Sequence, residues 1–140
     1  MTPLPAMRLE HDTFGPREVP AEALYGAQTS RSIENFRLSG TSLPMEIIHG
    51  MTFLKLACAR ANARLGLLPA RKEQAIADAC RAILSGAHDR EFPVDLYQAG
   101  SGTSSHMNLN EVIASLASES LGGKRGVKAP VHPNDDVNMG

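Results

Sequence analysis

The sequence predicts a mainly α domain with a short β-hairpin near its N-terminus, and three observations predict it. Three segments carry apolar residues at spacings of three and four, the mark of helices with one buried face. The composition is Ala-heavy and poor in aromatics, at 4% with no Trp, which favours closely packed helices over a β-sandwich. Between Met7 and Val19, Leu9 alternates with polar neighbours before a Gly15-Pro16 turn signal, as a hairpin requires. The 140 residues are enough for one domain with its own core.

Taken in order, Pro20-Ala21-Glu22 looks like a helix start, which Gly26 limits to a short run. The stretch from Gly26 to Phe36 is polar and irregular in period, and pattern alone assigns it no state. The first long helix is expected from about Pro44 to Leu65, with Ile47, Met51, Leu54, Cys58, Ala61 and Leu65 as its apolar stripe. Ser42 and Pro44 mark its beginning and Gly66 its end. A second helix runs from about Pro69 to Leu84 on Ile76, Ala79, Cys80 and Ile83. The short Leu67-Leu68 linker implies that the two are antiparallel. Pro93 interrupts the period after Glu91. A third helix takes over near Ser105, carries Val112, Ile113, Leu116, Ala117 and Leu121, and stops at Gly122-Gly123. Lys124 to Gly140 reads as an extended polar tail without a core of its own.

Charge and hydropathy remove several classes of function. A formal net charge of -1, with Lys and Arg scattered among acids, gives no reason to expect nucleic acid or an anionic membrane as partner. No stretch approaches the ~20 apolar residues of a membrane span, and Met1 to Met7 lacks the basic and apolar regions of a leader, so a cytoplasmic location is expected. Cys58 and Cys80 fall on helical stripes and are expected to be small buried hydrophobes. No Cys or His cluster has metal-ligand spacing, and no metal is expected. His11, His49 and His88 stand without a partnering carboxylate and nucleophile; His49, inside a helix, is expected to be a satisfied polar residue.

Gly100 to Asn108, GSGTSSHMN, is where chemistry concentrates. A helix N-terminus leaves its first N–H groups unpaired and carries partial positive charge. Gly100 and Gly102 let the main chain approach a ligand, and Ser101, Thr103, Ser104 and Ser105 add hydroxyls at the same point. This is a site for a carboxylate or phosphate, or else an ordinary capped turn. It is neither a P-loop, lacking the GK[ST] ending, nor a dinucleotide fingerprint, lacking the third glycine.

The same stretch, followed by Asn110-Glu111-Val112-Ile113-Ala114, resembles the first signature region of the fumarase/aspartase superfamily. Tyr25-Gly26-Ala27-Gln28-Thr29, Arg31 to Phe36, His88 to Pro93 with Gln98-Ala99, and His132 to Asn138 resemble further segments of it. Within the superfamily the sequence is most similar to class II fumarases, on Ser101 and His132. The resemblance implies a small helical N-terminal lyase domain, 1–140, preceding a central helical bundle. It implies reversible hydration of fumarate to malate in a homotetramer, with no cofactor. Ser101, Gly102 and Thr103 would bind a substrate carboxylate, and His132, Pro133, Asn134 and Asp135 would form a second dicarboxylate site near the entrance. The catalytic base of such enzymes lies on a later loop, so no catalytic residue is expected here and the chain alone is expected to be inactive. Arg31 is a further candidate for the shared site. The sequence departs from the family at His106, usually Asn, and at Ala129, where some fumarases have Arg, with Lys128 beside it. The alternatives are the corresponding domain of an aspartate ammonia-lyase, or a non-catalytic helical module that binds carboxylates.

Overall fold

The computed structural model describes residues 6–139. Strands β1 (Met7–Asp12) and β2 (Gly15–Pro20) pair antiparallel, with Arg8 opposite Val19 and His11 opposite Pro16. The turn lies at Thr13-Phe14, just ahead of the expected Gly15-Pro16, and Asp12 accepts the N–H of Phe14 at 2.9 Å. The side chain that β1 buries is Glu10, while Leu9 is 61% exposed. Glu10 tolerates that position because the Arg8 guanidinium donates to its Oε1 at 2.8 and 2.6 Å.

The helix expected from Pro20 does not form. Arg8 draws the carbonyls of Pro20, Ala21, Ala23 and Tyr25 to its guanidinium, and a carbonyl so engaged turns away from the helical ladder. The helix begins instead in the stretch left unassigned: α1 spans Ala27–Asn35. Its own side chains do not cap it. Glu111 does, accepting from the N–H groups of Gly26, Gln28 and Thr29 at 2.9, 3.0 and 3.1 Å, while Glu10 accepts from Ala27 at 3.1 Å. A Cβ on Gly26 would stand 2.7 Å from Glu10 Oε2 and 2.9 Å from Glu111 Oε1, so only glycine fits between the two acids.

Helices α2 (Met45–Arg64), α3 (Ala70–Leu84) and α4 (Thr103–Ser120) form the body. α4 is the central element: Met107 to Ala114 are all buried, and it packs against α1, α2 and α3. α3 buries Ile76, Ala79, Cys80 and Ile83, the stripe its sequence predicts. α2 does not. Its buried positions are Ile48, Thr52, Lys55, Ala59 and Asn62, one residue on from the expected stripe. Ile47, Leu54 and Leu65 face outward at 47%, 62% and 72% exposure, and Cys58 is half-buried rather than buried. The shift follows from what the inner face holds: Thr52 returns its hydroxyl to the Ile48 carbonyl at 2.7 Å, and Lys55 and Asn62 reach the end of the described chain. α2 ends as expected at Gly66, whose φ of 74° allows Leu67 N–H to reach the Asn62 carbonyl at 2.9 Å.

The connection from α3 to α4 is organised by Asp95. Its carboxylate accepts from the N–H groups of Leu38, Ser39, Gly40 and Tyr97 and from the Ser39 hydroxyl, joining two loops. The tail after Lys124 is not merely extended and polar. Val131 and Val137 belong to the common core, and Pro133–Val137 makes one wide helical turn, closed by Val137 and Asn138 N–H groups on the His132 and Pro133 carbonyls. No helix among the described residues is long and apolar enough to cross a membrane.

Candidate functional site

The loop before α4 keeps its donors free. Gly102, at φ 71°, precedes the first helical residue, a left-handed turn that glycine takes without strain. Gly102 has no side chain with which to cap the helix. Gln98 brackets the next turn, accepting from Ser105 N–H at 3.0 Å and donating to Ser105 Oγ at 2.7 Å. The Ser101 and Thr103 hydroxyls lie 3.0 Å apart and bond only each other among the described residues. The N–H groups of Thr103 and Ser104 donate to no other described residue. Two hydroxyls and two amides thus lie at the positive end of the helix dipole, where an anion such as a carboxylate is favoured.

Two hollows meet at this loop. One, of about 440 Å³, has an apolar wall of Met51, Leu54, Cys58 and Met139. Its polar side is Ser101, Gly102, His106, Lys55 and Asn138. The other, of about 200 Å³, is lined by Thr103 and Ser104 together with Gln28 and Arg31. Arg31 therefore stands beside the loop, but its guanidinium is held by Asp12 at 2.9 and 3.1 Å and lies over the Phe14 ring. His106, the unusual residue of the loop, is pushed below its ordinary pKa by burial and by the nearby Lys55 ammonium. The shift favours the neutral imidazole, which has one donor and one acceptor.

His132, Pro133, Asn134 and Asp135 line neither hollow. They form the wide turn, in which His132 Nδ1 accepts from the N–H groups of Asn134 and Asp135, both at 3.2 Å. The turn is fixed by Asp136, which accepts His132 N–H at 2.7 Å and pairs with Lys72 at 2.8 Å. Asn134 and Asp135 are exposed, and Pro133 is buried. Lys128, the cation nearest in sequence, donates to the His11 carbonyl at 2.6 Å on the hairpin. The turn joins the loop only through its exit, since Asn138 lines the larger hollow.

Of the other histidines, His49 is not satisfied as expected. Its Nε2 is buried without a hydrogen bond, 3.9 Å from Asp89 Oδ1. Sequence reasoning missed Lys55 as a lining residue, because the misplaced stripe of α2 put it on the outer face. It also missed Glu111, whose only signal is a lone acid inside the apolar run from Met107 to Ala117. Among the described residues no group of three or more His, Cys, Asp or Glu is arranged to hold a metal ion.

The family model described as "Lyase" matches residues 15–140, and the chain belongs to that family. Its relatives there include the class II fumarate hydratases of Chromobacterium violaceum, 55% identical over 134 residues, and of Ralstonia nicotianae, 54% identical over 131. These alignments cover 96% and 94% of this chain but 29% and 28% of the relatives, so the chain spans under a third of their length. The solved class II fumarase of Schistosoma mansoni superposes at a TM-score of 0.92 and 41% identity, over 95% of this chain and 28% of that one. The fumarate lyase:delta crystallin structure from Brucella melitensis gives 0.91 and 46%, over 96% and 32%.

Proposed function

We propose that this chain is the N-terminal part of a class II fumarate hydratase, a cytoplasmic homotetramer that interconverts fumarate and malate without a cofactor. The observation that carries the reading is the pair of hydroxyls at Ser101 and Thr103, which bond only each other among the described residues, in a chain 55% identical to a fumarate hydratase. Removing a proton from the carbon next to a carboxylate drives charge onto that carboxylate, and preorganised donors aimed there stabilise the transition state. Ser101 and Thr103 supply those donors, and Gly102 allows the substrate to approach the main chain. His132, Pro133, Asn134 and Asp135 form an outer dicarboxylate site. The base comes from another part of the enzyme, and 1–140 alone turns nothing over.

The test is a chimera in which residues 1–140 replace the matching part of the Chromobacterium violaceum enzyme. It hydrates fumarate, followed by ultraviolet absorbance, and the Ser101→Ala/Thr103→Ala double variant loses about 10²–10³ in kcat/KM. A folded tetrameric chimera without activity, or a double variant with full activity, overturns the reading. Faster release of ammonia from aspartate than hydration of fumarate assigns the domain to an ammonia-lyase instead.

A further inference from the structure

Lys55 is a buried cation that no described carboxylate neutralises. The residue is 9% exposed, and its one hydrogen bond goes to a neutral acceptor, Asn138 Oδ1, at 2.9 Å. An ammonium has three donors, so two remain for other partners. The titratable groups that face it from α2, α3 and α4 are Cys58, Cys80 and His106. Burial pushes the Cys80 thiol up to about 12, which leaves it neutral, and His106, pushed below its ordinary pKa, supplies no negative charge in either form. A buried ammonium without a counter-charge is unfavourable, and burial pushes the Lys55 pKa down. The fold keeps the residue there, lining the 440 Å³ hollow that Ser101 and Gly102 share.

We propose that Lys55 is a substrate-binding residue, whose ammonium pairs with one carboxylate of a small dicarboxylate held between it and the Ser101 loop. The apolar wall of Met51, Leu54, Cys58 and Met139 suits the short hydrocarbon link between two carboxylates, which a phosphate ion lacks. This deepens the proposed function, on which the dicarboxylate assignment rests.

The chain is titrated by calorimetry with succinate, and separately with acetate and inorganic phosphate. Lys55→Met keeps most of the stem and removes the charge; Lys55→Arg keeps the charge. Lys55→Met weakens succinate binding on the order of tenfold or more, and Lys55→Arg retains it. Saturating succinate raises the Lys55 pKa, read from its Nζ chemical shift, because a bound anion favours the charged form. That second readout decides the matter even where Lys55→Met fails to fold by circular dichroism. Equal succinate binding by folded Lys55→Met and the parent chain, an unmoved Nζ titration, or no binding by the parent chain overturns the proposal. Tighter binding of phosphate than succinate overturns the dicarboxylate assignment. Loss of succinate binding in Ser101→Ala but not in Lys55→Met overturns the role of Lys55 alone. The chimera assay, with Lys55 intact, judges the broader function separately.

Discussion

Glu111 takes two hydrogen bonds from Thr29, one from its main-chain N–H at 3.1 Å and one from its hydroxyl at 2.6 Å. With Gly26 and Gln28 they make four donors on one buried carboxylate. The acid thereby fastens the start of α1 to the middle of α4. Burial alone opposes its ionisation and raises its pKa, against the pull of those donors.

Glu111→Ala removes the acceptor of all four donors at a largely buried position. The expected loss is on the order of 3 kcal/mol, since each stranded donor keeps its desolvation penalty. Urea unfolding followed by circular dichroism measures it as a lower midpoint at unchanged slope. Glu111→Gln retains one acceptor oxygen and loses less. A change within ~0.5 kcal/mol for the alanine variant would contradict the capping role.

Asp95 contributes to the acid sensitivity of the fold. Burial opposes its charge, but the N–H groups of Tyr97, Ser39 and Gly40 and the Ser39 hydroxyl outweigh burial and hold the carboxyl far below its usual range. Its folded pKa is therefore below the unfolded value of about 3.9. The stability it contributes is present above that value and lost as pH falls through the window beneath it. Asp95→Asn lowers the melting temperature at neutral pH and flattens its fall below about pH 4. Parallel pH profiles for the two proteins would count against this assignment.

The inward face of α2 is set by Ile48 rather than Ile47. Ile48→Ala empties a site that is 1% exposed and costs about 2–5 kcal/mol. Leu54→Gln, at a site 62% exposed, changes the stability of this chain by less than about 0.5 kcal/mol. Denaturant midpoints of the two variants in the reverse order would restore the other face to the core.

These contrasts show what was legible from the residues themselves. α3 could be read because Ile76 and Ile83, with Ala79 and Cys80 between them, fall on one side of the helix, and that side is the one buried. α2 could not be phased, since Ile47 and Ile48 are adjacent and equally apolar. What decides between them is tertiary packing, which places Ile48 and Ala59 in the core shared with α3 and α4. α1 has no signal of its own because its cap, Glu111, lies 82 positions beyond Thr29. The carboxylate loop was legible as glycine and hydroxyl chemistry in one short stretch. Its hollow was not, because Met51 and Lys55 reach it from α2 and Asn138 from the far end of the described chain.

The polar composition after Lys124 marks the kind of segment that proteases nick first. Here Arg125 is bound to the Glu119 carboxylate at 2.5 and 3.1 Å, Lys72 holds Asp136, and Asn62 donates to the Met139 carbonyl at 2.8 Å. These ties, with Val131 and Val137 in the core, hold the segment to the domain and oppose the local opening that cleavage requires. Cleavage after Arg125 or Lys128 in limited trypsinolysis thus tracks the opening of the whole domain, and gives a simple gel assay for its integrity.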